Sequence, residues 1–200
     1  MRIVLLLFAL LFNVTPAFAA RTVLVMGDSL SAGYGIRPEQ AWPSLLATRL
    51  KEKRLDYNVA NLSISGETTA GGRARLAEAL RRYKPAVVVI ALGGNDGLRG
   101  LPLAQMRDNL AAMLDAARTI GARTLLIGVR LPPNYGPYAS EFDAAFRDTA
   151  ALKKTAYFDF LLAPIALDRR YFQSDGLHPT AEAQPLLLDA VWPHLQPLLK

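Results

Sequence analysis

Short apolar runs alternate with segments of helical periodicity along most of this chain, and this alternation limits the folds open to it. The clearest run, residues 86–92 (AVVVIAL), is continuous and rich in β-branched residues, as expected of a strand buried on both faces of a parallel sheet. The alternation predicts an α/β fold, a three-layer α/β/α sandwich around a five-stranded parallel sheet. The predicted strands are residues 23–26, 57–62, 86–92, 123–129 and 156–160, and the predicted helices are residues 41–53, 69–83, 103–120, 140–153 and 180–199.

A parallel sheet would bring three polar segments to one edge. In open sheets of this kind, ligands bind outside the carboxyl ends of the strands. The segments that follow the first three predicted strands are rich in Gly, Ser and Asn, which turn the backbone and donate hydrogen bonds. We therefore expect the functional site to be formed by residues 27–31, 65–68 and 93–96.

The first nineteen residues differ from the rest of the chain. Arg2 precedes an apolar stretch from residue 3 to residue 14, and Ala17-Phe18-Ala19 is a small-x-small motif. This pattern is typical of a secretory signal peptide cleaved after Ala19, because the apolar stretch is short for a membrane span. An uncleaved N-terminal anchor is the alternative. We predict that residues 20–200 form a single domain that is periplasmic or secreted.

Composition and charge narrow the chemistry and the partners. The chain has no cysteine and only two histidines, which excludes a cysteine nucleophile and makes a multi-histidine metal site unexpected. The formal net charge is +6, or +5 once residues 1–19 and their single arginine are removed. This excess favours transient contact with an anionic lipid surface, although the charges are scattered as on an ordinary solvated surface. We expect a monomer with no nucleic-acid partner.

A serine and a distant histidine point to nucleophilic catalysis. Ser29 ends the first predicted strand, where a sharp turn would lift its hydroxyl into a cleft. A serine nucleophile needs a base, and His178 can accept its proton near neutral pH. Asp175 lies three residues before His178, close enough to hold the imidazole in one tautomer.

Three groups are candidates to bind the oxygen of a tetrahedral intermediate: the backbone N–H groups of Ser29 and Gly66 and the side-chain amide of Asn95. Taken alone, each of these features is also an ordinary turn signal. Their joint occurrence at one sheet edge is what indicates a catalytic site. The other histidine, His194, lies in the terminal helix next to Pro193, and we interpret it as structural.

Four segments together resemble the signature blocks of the SGNH (GDSL) hydrolases. They are residues 27–31 (GDSLS), 65–68 (SGET), 93–96 (GGND) and 175–179 (DGLHP). Further stretches resemble the periplasmic acyl-CoA thioesterases of this family that also act as lysophospholipases and arylesterases in Gram-negative bacteria: residues 27–34, 92–100 and 130–135. Glu67 departs from the family pattern, in which aspartate is familiar after the glycine, and residues 35–40 do not match closely.

The resemblance implies that Ser29 is the nucleophile, His178 the base and Asp175 its orienting partner, with an oxyanion hole from Ser29, Gly66 and Asn95. It also implies a flavodoxin-like strand order 2-1-3-4-5 and no metal or organic cofactor. The implied activity is hydrolysis of acyl esters and thioesters, including aryl esters, lysophospholipids and acyl-CoA, through an acyl-serine intermediate. We expect the acyl chain to contact Leu30, Leu98, Leu101 and Pro132.

Two other functions stay open. A carbohydrate O-deacetylase would use the same triad on acetylated sugars. A non-catalytic α/β binding module would use the same sheet edge without chemistry, since fold class alone does not fix function. Hydrolysis of esters of graded acyl length distinguishes the O-deacetylase from the long-chain esterase. Covalent labelling of Ser29 by a fluorophosphonate distinguishes the binding module from an enzyme.

Overall fold

One five-stranded parallel sheet organises residues 20–200, the part of the chain that the computed structural model describes. Its strand order is 2-1-3-4-5, which confirms the predicted topology. The predicted signal peptide, residues 1–19, lies outside the described residues. The strands are β1 (Arg21–Gly27), β2 (Tyr57–Asn61), β3 (Val87–Ala91), β4 (Arg123–Ile127) and β5 (Ala156–Phe158).

The connections between successive strands are mostly helical. The helices are α1 (Ser29–Ala32), α2 (Trp42–Glu52), α3 (Thr69–Tyr83), α4 (Gly94–Leu98), α5 (Leu103–Thr119), α6 (Pro137–Lys153) and α7 (Gln184–Leu195). Short 3-10 turns lie at Pro38–Gln40, Pro133–Tyr135, Arg169–Tyr171 and Gln196–Leu198. Of these elements, α1 and α4 are too short to show helical periodicity in the sequence, and we did not expect them.

The two faces of the sheet are buried against different helices, because successive strand residues point to opposite sides. Val87 and Val89 share one apolar cluster with residues of α2 and α7, whereas Val88 and Ile90 share another with residues of α3, α5 and α6. The apolar residues on the inner faces of these helices are buried, including Met106 and Leu110. This double burial explains why the central strands are continuously apolar.

Several predicted boundaries are wrong. Strands β2, β4 and β5 begin at the predicted residues but end earlier than expected. Helix α6 begins at Pro137 rather than at residue 140. Helix α7 begins at Gln184 and not at residue 180, because the Thr180 N–H donates to the Tyr171 carbonyl and Pro179 pairs with Phe172 as an isolated bridge. Pro185 lies in the first turn of α7, where its missing N–H costs nothing, so it does not interrupt the helix.

The sheet leaves the carboxyl ends of its strands facing one common edge. The turn after β1, the loop between β2 and α3 and the start of α4 all leave from that edge, as the sequence predicted. Within residues 20–200, every helix is too short or too polar to span a bilayer.

Candidate active site

The β1 turn, residues 27–32, places Ser29 at the beginning of α1. The backbone of Asp28 is extended and its carboxylate caps this short helix, accepting a hydrogen bond from the Leu30 N–H at 3.0 Å. Leu30 and Ser31 are buried beneath the turn. Capping on one side and burial on the other fix the serine, whose side chain is left partly exposed at the sheet edge.

The histidine loop, residues 173–179, is folded around a carboxylate. The Gln173 N–H donates to the His178 carbonyl at 2.8 Å, which closes the loop as a narrow hairpin. Inside it, the Asp175 carboxylate accepts from the N–H groups of Leu177 and His178 at 2.9 and 3.0 Å. The sequence spacing Asp-x-x-His thus folds as a tight turn that presents the imidazole to the β1 turn.

Ser29, His178 and Asp175 form one hydrogen-bonded line. His178 Nε2 lies 2.9 Å from Ser29 Oγ, and His178 Nδ1 lies 2.7 Å from Asp175 Oδ2. A carboxylate only accepts hydrogen bonds, so Nδ1 carries the proton and Nε2 is free to accept from the serine hydroxyl. The structure therefore brings the three predicted side chains together in the order that proton transfer from serine requires.

The electrostatics of the two nearby carboxylates differ. The side chain of Asp175 is 40% exposed, and the hydrogen bond from the His178 ring, helped by the two backbone donors, holds the pKa of Asp175 well below its usual range. Asp28 is 2% exposed, and this burial raises its pKa to about 6, against the opposing effects of the Leu30 N–H and of His178. Asp175 is thus an ionised partner for imidazolium, while Asp28 titrates in the mildly acidic range.

The three predicted oxyanion donors line the same cleft as Ser29 and His178. Gly66 has a φ of +79°, a left-handed conformation that glycine adopts without strain. Among the described residues, no oxygen accepts a hydrogen bond from the N–H of Ser29 or of Gly66. These two backbone donors are therefore available to a ligand.

Helix α4 holds the loop that carries Gly66. The Asn95 amide donates to the Glu67 carbonyl at 3.0 Å, and its nitrogen lies 3.5 Å from the Asp28 carboxylate. One turn later, the Arg99 guanidinium donates to the Gly66 carbonyl at 3.0 Å. Glu67, the departure from the family pattern, pairs through its side chain with Arg75 at 2.8 Å, which leaves the Gly66 amide open.

Asp96 anchors α4 from behind. It is buried, and its carboxylate accepts from the backbone N–H of Thr69 at 2.9 Å and from the hydroxyl of the same residue. The sequence alone indicated only a turn at Asn95-Asp96-Gly97. The bond to the first residue of α3 shows that Asp96 positions Asn95 by fixing the helix to which both belong.

An apolar cleft of about 620 Å³ opens beside Ser29. Leu30, Leu98 and Pro132 line it as expected, but Leu101 does not, because the chain has turned away from the cleft after α4 and the Leu101 carbonyl accepts from Tyr138. Sequence reasoning missed much of the lining, which comes from the segments after β4 and β5 and from the histidine loop: Val129, Arg130, Leu131, Pro133, Phe160, Leu162, Ala166, Phe172 and Leu177. Part of this lining lies in the matched segments, residues 130–135 and 175–179, but nothing in the sequence indicated that these side chains line a cleft.

The remaining sequence predictions concern histidine and metal. His194 stacks on Phe158, with ring centroids 4.8 Å apart, and neither residue lines the cleft. In the described range, no group of three or more acidic or histidine side chains is arranged to hold a metal ion. The chemistry available at the site is that of a serine, an imidazole, two carboxylates and backbone amides.

Known proteins are similar to this chain in sequence and in fold. Residues 25–185 match the GDSL-like Lipase/Acylhydrolase family. The chain is 51% identical to Esterase TesA of Pseudomonas aeruginosa over 186 residues, 92% of each protein. It is 40% identical to the Thioesterase 1/protease 1/lysophospholipase L1 of Escherichia coli K12 over 184 residues, 92% of this chain and 87% of that protein. The crystal structure of the psychrotrophic esterase EstA from Pseudoalteromonas sp., inhibited by monoethylphosphonate, superposes with a TM-score of 0.85 at 38% identity, over 90% of this chain and 98% of that one.

Proposed function

The chain belongs to the GDSL-like lipase/acylhydrolase family and is an esterase-type hydrolase, and from this premise we propose that it cleaves acyl esters and thioesters through an acyl-serine intermediate. Ser29 is the proposed nucleophile, His178 the general base and Asp175 its orienting partner. The observation that carries this proposal is the continuous line of hydrogen bonds from Ser29 Oγ through the imidazole to Asp175, at the mouth of an apolar cleft.

In the acylation step, Ser29 Oγ attacks the carbonyl carbon of the substrate while its proton passes to His178 Nε2. Asp175 stabilises the resulting imidazolium through the Nδ1–H bond. The tetrahedral intermediate then collapses, the bond to the leaving group breaks, and His178 returns the proton to the departing alcohol or thiol. Water attacks the acyl-serine by the same route, with His178 again as base, and releases the carboxylic acid.

The mechanism also requires hydrogen-bond donors that stabilise the oxyanion of each tetrahedral intermediate. The free N–H groups of Ser29 and Gly66 and the amide of Asn95 are the proposed donors, since all three residues line the cleft. Preorganised donors of this kind stabilise developing charge without a cost of reorganisation, and each contributes about 2.7–4 kcal/mol.

The lining of the cleft bears on the substrate. Relatives are named as an arylesterase and as a thioesterase and lysophospholipase, and we extend these substrate classes to this chain. Leucine, valine, proline and phenylalanine side chains dominate the wall, and burying an acyl chain against them is favourable by about 0.8 kcal/mol for each methylene. An O-deacetylase would gain nothing from this wall, so the cleft favours longer acyl esters. Rates that fall steeply beyond acetyl would instead support the deacetylase.

A fluorophosphonate and a serine variant test the proposal together. The reagent should label the wild-type protein once, at Ser29, as mapped by mass spectrometry. Ser29→Ala should lose at least about 10⁴-fold in p-nitrophenyl ester hydrolysis, as in other serine hydrolases, while its circular dichroism spectrum and melting temperature stay unchanged. Ser44→Ala, at an exposed bond to Pro38, is the matched control. Labelling elsewhere, or an active Ser29→Ala protein, would refute the assignment.

The location and assembly of the enzyme are part of the proposal. We propose that residues 1–19 direct the chain to the periplasm, that residues 20–200 act as one monomeric domain, and that their positive charge supports transient contact with anionic lipid. N-terminal sequencing of the periplasmic protein should begin at Ala20. Light scattering should give the mass of one chain, and cosedimentation with vesicles that contain phosphatidylglycerol should weaken as salt is raised.

A further inference from the structure

Tyr34 covers one face of the imidazole of His178. The ring centroids are 4.4 Å apart with the planes tilted by 38°. The Tyr34 residue is itself 51% exposed, whereas the His178 side chain is only 14% exposed, so the tyrosine ring lies between the imidazole and the solvent. The Tyr34 side chain therefore contacts His178 through its ring.

Gln173 connects Tyr34 to the histidine loop. Its side-chain amide donates to the Tyr34 carbonyl at 2.7 Å and to the Pro179 carbonyl at 3.0 Å, and its backbone N–H donates to the His178 carbonyl. One half-buried residue therefore binds the segment that carries the tyrosine and also the backbone of His178 and of the residue that follows it. The two segments are far apart in sequence and meet through this amide.

Gly35 allows that connection. Its φ is +74°, and a Cβ at this position would lie 2.2 Å from the Gln173 side-chain oxygen. The glutamine amide is thus packed directly on the glycine backbone. Residues 35–40 did not match the family pattern closely, yet this segment begins with the residue on which the connection depends.

The contact between the Tyr34 and His178 rings gains importance in deacylation, the second step of the proposed reaction. In the free enzyme the imidazole is held at one edge by Asp175 and at the other by Ser29. Acylation replaces the serine hydroxyl proton with an acyl group, so the bond that Ser29 donates to Nε2 disappears. The bond from Nδ1 to Asp175 and the face contact with Tyr34 then remain, and the face contact adds a restraint against tilting of the ring.

The geometry points to Tyr34 as a positioning residue that holds His178 in place within the acyl-enzyme, with Gln173 fixing Tyr34. This inference rests on the proposed acyl-serine mechanism. Without the ring, the imidazole spends less time where it can activate water, and deacylation slows more than acylation. An aromatic contact of this type corresponds to a rate effect of about three- to tenfold.

The test measures how much acyl-enzyme accumulates. Wild-type and variant proteins turn over p-nitrophenyl butyrate at saturation, are quenched in acid, and are analysed by intact-protein mass spectrometry. In Tyr34→Ala we expect kcat to fall about three- to tenfold, the acylated fraction of Ser29 to rise, and the rate of fluorophosphonate labelling to change less than about twofold. Tyr34→Phe should restore kcat and the wild-type acylated fraction, because it keeps the ring.

A second variant probes the connection itself. Gln173→Ala should show the same accumulation to a smaller degree, while Gln105→Ala, at an exposed position of α5, should match the wild type. Equal slowing of labelling and turnover in Tyr34→Ala, or a raised KM with unchanged kcat, would overturn the inference, because a general structural or a substrate-binding role predicts those results. A wild-type protein that neither turns over nor becomes acylated would refute the proposed mechanism instead.

Discussion

The β1 turn and the histidine loop each bring a carboxylate to the site, but they are held in different ways. The β1 turn is backed by the core, with Asp28 and Leu30 buried under it. The histidine loop lies on the surface, where Asp175 is exposed and backbone and side-chain hydrogen bonds maintain its shape. The position of Ser29, the proposed nucleophile, therefore depends on core packing, and that of His178, the proposed base, depends on local polar contacts.

This difference separates activity from stability. Surface segments held by few apolar contacts open locally at a lower free energy than the core. Loosening the histidine loop should abolish catalysis in a protein that is still folded, whereas disturbing the β1 turn should also change the free energy of unfolding. The following variants examine that contrast.

Asp175→Asn should have the largest effect on rate. The amide cannot accept the Nδ1–H bond in the same way and favours the wrong tautomer of His178, and the equivalent change in a serine protease lowers kcat by about 10⁴. We expect a loss of about 10³–10⁴ in kcat with a melting temperature close to that of the wild type. Asp168→Asn, at a partly exposed residue paired with Arg170, is the control for loss of one surface carboxylate. An active Asp175→Asn protein would contradict the assignment.

Asn95→Ala removes one proposed oxyanion donor and should lower kcat by about 10²–10³, or about 2.7–4 kcal/mol in the transition state. The KM for a short p-nitrophenyl ester should change little, because the donor acts on charge that develops in the reaction. Asn58→Ala, at an exposed position of β2, should leave both constants unchanged. A loss of less than threefold in Asn95→Ala would remove this residue from the oxyanion hole.

Asp28→Asn should reveal the cost of a buried carboxylate. The pKa of Asp28 is about 6 in the folded protein and about 4 in an unfolded chain, so between these values the folded state binds more protons and its stability falls as the pH rises. The cost is complete above pH 6 and corresponds to about 3 kcal/mol. Because part of this cost is already present at pH 4, the unfolding free energy of the variant minus that of the wild type should be about 2–2.5 kcal/mol larger at pH 8 than at pH 4.

Urea unfolding of both proteins at pH 4 and pH 8 measures how this difference in stability changes with pH. Any effect of the new amide that does not depend on pH, such as an altered contact with Asn95, cancels. Asp108→Asn, on the exposed face of α5, should give a difference near zero. A variant whose advantage is the same at both pH values would show that Asp28 is not the titrating group.

Glu67→Gln should have the smallest effect. It weakens the partly buried pair with Arg75 but leaves the backbone carbonyl that Asn95 contacts. We expect a loss of stability of about 1 kcal/mol or less and a change in kcat within about threefold. Chemical denaturation and ester hydrolysis check both values, and a loss as large as that of Asn95→Ala would mean that the ion pair itself sets the position of Gly66.

The secondary structure could be predicted from the sequence where a strong local signal agreed with the contacts made in the folded protein. Helix α3 has the predicted bounds because Thr68 caps it at Gly71 and Pro85 stops its continuation. The buried strand β3 was evident from its β-branched residues. The strand order and the meeting of Ser29 with His178 followed from the signature blocks, which specify contacts that periodicity alone does not contain.

Other features were not predictable, because they depend on contacts between segments without periodicity. Thr180 resembled a helix start, but a long-range bond to Tyr171 keeps it extended. Leu98 and Leu101 are close in sequence, but only Leu98 lines the cleft. Tyr34 ends the matched stretch 27–34, but nothing in that stretch indicated its contact with the His178 ring, because the amide that binds its carbonyl lies 139 residues away.

The distance in sequence between nucleophile and base has a consequence for biosynthesis. Ser29 is made before four of the five strands, whereas Asp175 and His178 follow the last of them. A ribosome therefore completes the whole sheet before it supplies the group that is proposed to activate the serine. Prematurely terminated or proteolytically shortened products that lack this region would carry Ser29 without its proposed base, and we expect them to be inactive as hydrolases.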